Sequence, residues 1–271
     1  MTRATRVTSD RAGLVSLPGF PFPVHASRGL EERAKELAGR CARAYQLLGR
    51  TLALEPEVTV LVLSEQDWPG ASLPYGMPHY ASGDLVLAGG SSHFWRSFVP
   101  LLERAPPEDY ARAVEVYGPE LELEPFFNLL AVHELGHAFH GQSHSRLPRR
   151  WLEETFANLC LHAYVDELEA DLLPVLKTFP DVLTTIDPNI FQHRSLAAFE
   201  AVYSSMDPRN YGWYQCQFHV AAGRIHDAGG VPALQRFWRR FVLSDRELAQ
   251  ALDSDVHAEL AATLTEWPGG A

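Results

Sequence analysis

His133-Glu134-Leu135-Gly136-His137 lies inside an apolar run with helical spacing, where a chain ordinarily places only core. Residues four apart on a helix project from one face, a turn apart, so both imidazoles can reach a single metal ion. Glu134, next to the first His, points to the side where a water would sit. Upstream, Glu124-Pro125-Phe126-Phe127-Asn128-Leu129-Leu130-Ala131-Val132 puts Pro near a helix start and then apolar residues at i, i+3, i+4 and i+7; Gly141 reads as the closing glycine. Two unpaired His and a Glu are costly in a core, and a metal would satisfy them.

A third ligand is offered by Trp151-Leu152-Glu153-Glu154-Thr155-Phe156-Ala157-Asn158, which follows a Ser-, Pro- and Arg-containing loop from Gln142 to Arg149. With the H-E-x-x-H motif, this segment resembles the gluzincin metallopeptidases, whose next helix carries the ligand Glu within W-L-N-E-G-F-A. The resemblance implies a zinc ion held by His133, His137 and Glu154, with Glu153 where the family commonly has Asn. Asn158 matches the family's polar residue that orients a ligand His. Read by themselves, Glu153 and Glu154 are a solvated acidic pair at a helix start.

A rival ligand lies on the first helix. His140 and His144 continue the face of His133 and His137, with Gly141 between them, and Ser205-Met206-Asp207-Pro208 looks like a Met-turn. Metzincins read H-E-x-x-H-x-x-G-x-x-H, but here the Gly and the last His each come one residue late. We therefore expect Glu154 to be the ligand, and His140 and His144 to occupy rim or loop positions.

The rest of the chain narrows the class. Its 271 residues can bury a sizeable core, and no apolar run approaches the length of a bilayer span. The segment Met1 to Val7 is basic without the continuous apolar stretch of a secretory signal, so the expectation is a cytoplasmic protein with no membrane partner. A net charge of -11 argues against nucleic acid. Arg236, Arg239 and Arg240 read as the solvated face of one helix. Cys41, Cys160 and Cys216 lack C-x-x-C spacing, which favours reduced core thiols over disulfides or a thiolate zinc site.

Periodicity predicts a helix over Leu30 to Gly49, strands at Val58 to Leu63 and Asp84 to Ala88, and a helix from Pro106-Pro107 through Tyr117. After Phe126 the chain reads as successive helices, including Ser195 to Tyr203, Tyr211 to Asp227, Val231 to Phe241 and a last one capped by Ser244-Asp245-Arg246-Glu247. The expected class is α+β. The gluzincin resemblance implies a zincin-like arrangement: a small N-terminal α/β lobe (1–141), with a short twisted sheet over the H-E-x-x-H helix, and a helical C-terminal lobe (142–271), with the cleft between.

Two segments gain meaning from that arrangement. Pro74-Tyr75-Gly76-Met77-Pro78-His79-Tyr80 precedes the second strand, where the family places an edge strand that binds extended substrate, so Gly76 and Met77 are candidate substrate contacts; as a bare pattern the segment is an ordinary turn. Aminopeptidases of the group carry G-A-M-E-N there, and this chain lacks the Glu that anchors a free amine. Tyr211, with Tyr214 and His219 behind it, resembles the family segment whose Tyr donates to the developing oxyanion. The implied activity is hydrolysis of a peptide or peptide-like amide by zinc-activated water, with Glu134 as general base. The alternatives are a non-haem iron oxygenase using the same His/His/Glu set, a degenerate zincin acting as a binding protein, and a metal-free structural helix.

Overall fold

The computed structural model describes residues 11, 13–69, 73–143, 147–239, 252–253 and 257–268. Five short strands form one mixed sheet: β1 (Val15–Ser16), β2 (Val24–Ala26), β3 (Thr59–Leu63), β4 (His79–Ala81) and β5 (Asp84–Ala88), in the order β1-β2-β3-β5-β4. The central β2, β3 and β5 run parallel, while β1 and β4 pair antiparallel at the edges. Alternation along β3 explains its burial on both faces. Val60 and Val62 join the main core, and Leu61 and Leu63 meet Val86 and the partly buried Trp68 on the other side.

Helix α1 (Glu31–Leu52) links β2 to β3 and buries Leu37, Cys41, Ala44 and Leu48 on one face. After β5 come two single-turn helices, α2 (His93–Arg96) and α3 (Val99–Leu102), and then α4 (Pro107–Tyr117). Helix α5 (Glu124–Gln142) carries the H-E-x-x-H motif, and α6 (Arg150–Leu168) follows it. Both are apolar on nearly every side, as helices enclosed by other elements must be. Helix α5 lies against β4, β5, α1 and α6.

The remaining helices are α7 (Leu173–Thr184), α8 (Leu196–Val202), α9 (Pro208–Trp238) and α10 (Ala258–Thr265). One core of buried apolar side chains runs from Leu17 to Trp267, continuous across the expected boundary at residue 141. The chain is thus a mixed α/β protein, mainly helical, with its sheet confined to residues 15–88. No described helix is long and apolar enough to cross a membrane. The three cysteines are buried and unpaired.

Several helix boundaries differ from the sequence expectation. Gly141 does not end α5, which continues to Gln142 and stops where Ser143 turns extended. The two helices expected at Tyr211 to Asp227 and Val231 to Phe241 are both present within the span of α9, and the first starts earlier, at Pro208, where the Asp207 side chain accepts from Arg209 and Asn210. Gly230 (φ 54°, ψ -156°), two residues before Pro232, is non-helical and separates the two helices across a kink. Arg236 and Arg239 are exposed as expected; Arg240 and the Ser244 to Glu247 box lie outside the described residues.

Candidate metal centre

Gly136 decides how closely α5 and α6 approach. A Cβ at this position would lie 2.9 Å from the Ala157 Cα, so only glycine permits the contact. That closeness carries Glu154, one turn before Asn158 on α6, to the face of α5 that bears His133 and His137.

Three donor atoms converge there. The His133 Nε2 and His137 Nε2 are 3.1 Å apart, and each is 3.3 Å from Glu154 Oε2. Donors at about 2.0–2.1 Å from a tetrahedral zinc are separated by roughly 3.3–3.4 Å along the edges of the tetrahedron, so the residues fit such an ion. Among the described residues, this is the cluster of His, Cys, Asp or Glu side chains with the proximity a metal requires.

The ligand atoms are held from behind. Asn158 Oδ1 lies 2.7 Å from His133 Nδ1, which makes Nδ1 the donor and leaves the Nε2 lone pair facing the centre. Glu154 is buried and receives three hydrogen bonds: the Tyr203 hydroxyl donates to Oε1 at 2.7 Å, the Tyr211 hydroxyl to Oε1 at 3.4 Å, and Gln215 Nε2 to Oε2 at 2.8 Å. Gln215 Nε2 also donates to the Tyr211 hydroxyl at 2.7 Å. Burial by itself would raise the Glu154 carboxyl, but the charge on His137 beside it holds it well below the usual carboxylate range.

Glu134 Oε1 is 4.0 Å from His133 Nε2. Burial pushes its carboxyl up to about 8; Glu154 adds to the rise and the charge of His133 opposes it. Glu153 is raised by burial as well. The charge of Glu154 and burial keep Tyr203 protonated, and burial and Glu154 do the same for Tyr211, so both hydroxyls remain donors.

These groups open on a cavity of about 660 Å³. His133, Glu134, His137, Glu153, Tyr211 and Gln215 are among its polar lining, and Phe94, Phe98, Phe126, Phe127 and Phe179 form an aromatic side. Met77 lines the cavity, followed by Pro78 and the β4 residues His79 and Tyr80. Gly76 does not: it is buried in the preceding turn at φ 95°, a Cβ there would overlap Ser92, and its carbonyl accepts the Trp95 indole N–H at 2.6 Å. The expected edge position of this segment is present, since β4 ends the sheet.

His140 is among the residues that line the cavity. It is buried on α5, and its Nε2 accepts the Leu147 N–H at 3.1 Å, so it fastens the chain beyond α5. His144 lies outside the described residues. Met206 reaches the cavity wall just before α9. Tyr214 is removed from the site, donating to the Ser195 carbonyl at 2.8 Å and stacking on Trp267. His219 is buried, with its ring stacked on that of His133, and burial holds it well below its ordinary value. Sequence reasoning missed Tyr203 and Gln215; the one available signal was Gln215 standing four residues after Tyr211, on the same face of a helix.

No protein-family model, no curated protein and no solved structure matches this chain.

Proposed function

We propose that this protein is a zinc-dependent hydrolase of peptide or peptide-like amide bonds, with a zincin-like fold of the gluzincin type. The observation that carries the reading is the convergence of His133 Nε2, His137 Nε2 and Glu154 Oε2, 3.1–3.3 Å apart, on a large cavity beside a carboxylate that is not among the three. A structural metal site would have no need of Glu134 or of an adjoining cavity.

His133, His137 and Glu154 would hold the zinc ion, which would supply Lewis acidity for activating a water, whose pKa falls toward about 7, and for polarising an amide carbonyl. Glu134 takes the proton of the attacking water and delivers it to the leaving amine, the work of a general base whose affinity for protons burial has raised. Tyr203 is committed to Glu154 by a short hydrogen bond and positions the ligand. Tyr211 holds Glu154 only at 3.4 Å and is itself braced by Gln215, so its O–H is the one free to turn toward a developing oxyanion. The outer edge of β4 and the Met77 backbone before it offer an extended substrate a strand to pair with.

The test is a screen of quenched-fluorescence peptides, blocked and free at the N-terminus, with the parent and Glu134→Gln proteins. Chelation should abolish turnover. Glu134→Gln should keep its zinc and lose roughly two to four powers of ten in kcat. Turnover by Glu134→Gln equal to that of the parent overturns the mechanism.

A further inference from the structure

The cavity has one charged group that the proposed chemistry does not use. Glu153 precedes the ligand Glu154 on α6 and lines the cavity, and among the described residues no hydrogen bond or ion pair reaches its carboxylate. Arg150, three residues earlier at the spacing of a helical ion pair, is engaged elsewhere: its guanidinium lies 4.6 Å from the centroid of the Tyr203 ring, over its face. No Lys or Arg lines the cavity among the described residues, and His137, the lining residue whose charge favours the Glu153 carboxylate, is turned to Glu154 in the metal centre.

The remainder of the wall sets the shape of the complement. Phe94, Phe98, Phe126, Phe127 and Phe179 give the cavity an aromatic side, and a half-buried carboxylate without a partner is costly to keep. The group that satisfies both features is a cation carried on an apolar stem, whose methylenes cover the rings while its head reaches the carboxylate. A compact anion or a neutral polar group satisfies neither. The net charge of -11 adds a long-range attraction for cations.

We propose that the cavity selects substrates bearing a lysyl or arginyl side chain beside the hydrolysed amide, with Glu153 accepting its cationic head. The proposal rests on the amide-hydrolase reading and names its substrate class.

The experiment uses zinc-loaded Glu134→Gln protein, in which binding is separated from turnover, and N-acetylated, C-amidated peptides varied at each central position. Lysine and arginine are compared with norleucine and Nε-acetyl-lysine by calorimetry. Lysyl and arginyl peptides should bind about tenfold more tightly or better, as a charge-assisted hydrogen bond in a half-buried site allows. In Glu134→Gln/Glu153→Gln, with zinc retained, the preference should collapse. Equal binding of all four peptides overturns the proposal, and so does a preference that survives Glu153→Gln. A gain from freeing the N-terminal amine, regardless of side chain, overturns the assignment to a side chain. If the parent cleaves none of these peptides, the hydrolase reading fails, and the binding series still decides the selectivity.

Discussion

Asn158 Oδ1 accepts the Nδ1–H of His133 at 2.7 Å, and this single contact fixes which ring nitrogen faces His137 and Glu154. Asn158→Ala should therefore keep the fold and lower zinc affinity by about 10- to 100-fold, read by competition with a chromogenic chelator. Affinity equal to that of the parent would mean that His133 needs no such support.

Tyr203 and Tyr211 touch the same oxygen of Glu154, but at 2.7 and 3.4 Å. Tyr203→Phe should weaken zinc binding by about tenfold, the loss expected of a ligand's hydrogen-bonding partner. Tyr211→Phe should retain the metal and lose roughly 10²–10³ in kcat as an oxyanion donor. An exchange of these two outcomes would reverse the roles given to the two tyrosines.

Gly136 sets the distance between the two ligand-bearing helices. Gly136→Ala places a methyl 2.9 Å from the Ala157 Cα, so the helices must separate. The cost should be about 1–3 kcal/mol, measured by denaturant unfolding, together with weaker zinc retention. Unchanged stability and metal content would show that the crossing has slack.

Away from the His133, His137 and Glu154 cluster, Glu169 joins the end of α6 to α1 through Arg40 at 2.9 Å and Arg43 at 2.5 Å. Burial opposes its charge, but Arg40, with the hydrogen bonds from Arg43 and Tyr164, holds its carboxyl below the ordinary 4.5. A depressed carboxyl contributes stability above its unfolded pKa and loses it as the pH falls through the folded value. Glu169→Gln should thus be less stable than the parent at pH 7, with the difference shrinking below about pH 4.5. A difference independent of pH would assign the loss to packing.

The two central strands and the site helix were legible in the sequence because their patterns are local. Val58 to Leu63 is a short, nearly unbroken apolar run rich in β-branched residues, and the run before His133 has helical period. Glu154 was legible through its setting between Trp151 and Asn158. Tyr203 was not, because its link to Glu154 spans 49 residues and depends on where α8 ends relative to α6. The strands β1 and β2, two and three residues long, are too short to carry a period. The anchoring role of His140 was not legible for a related reason. Its partner is a backbone N–H seven residues on, which no spacing of side chains announces.

The central claim is that His133, His137 and Glu154 hold one zinc ion, and elemental analysis after zinc loading and exhaustive dialysis tests it most directly. The account predicts about one zinc per parent chain, and near-complete loss in His137→Ala and Glu154→Ala, because three convergent donors are the minimum for a catalytic site. A parent chain without zinc, or both variants with full zinc, would contradict it.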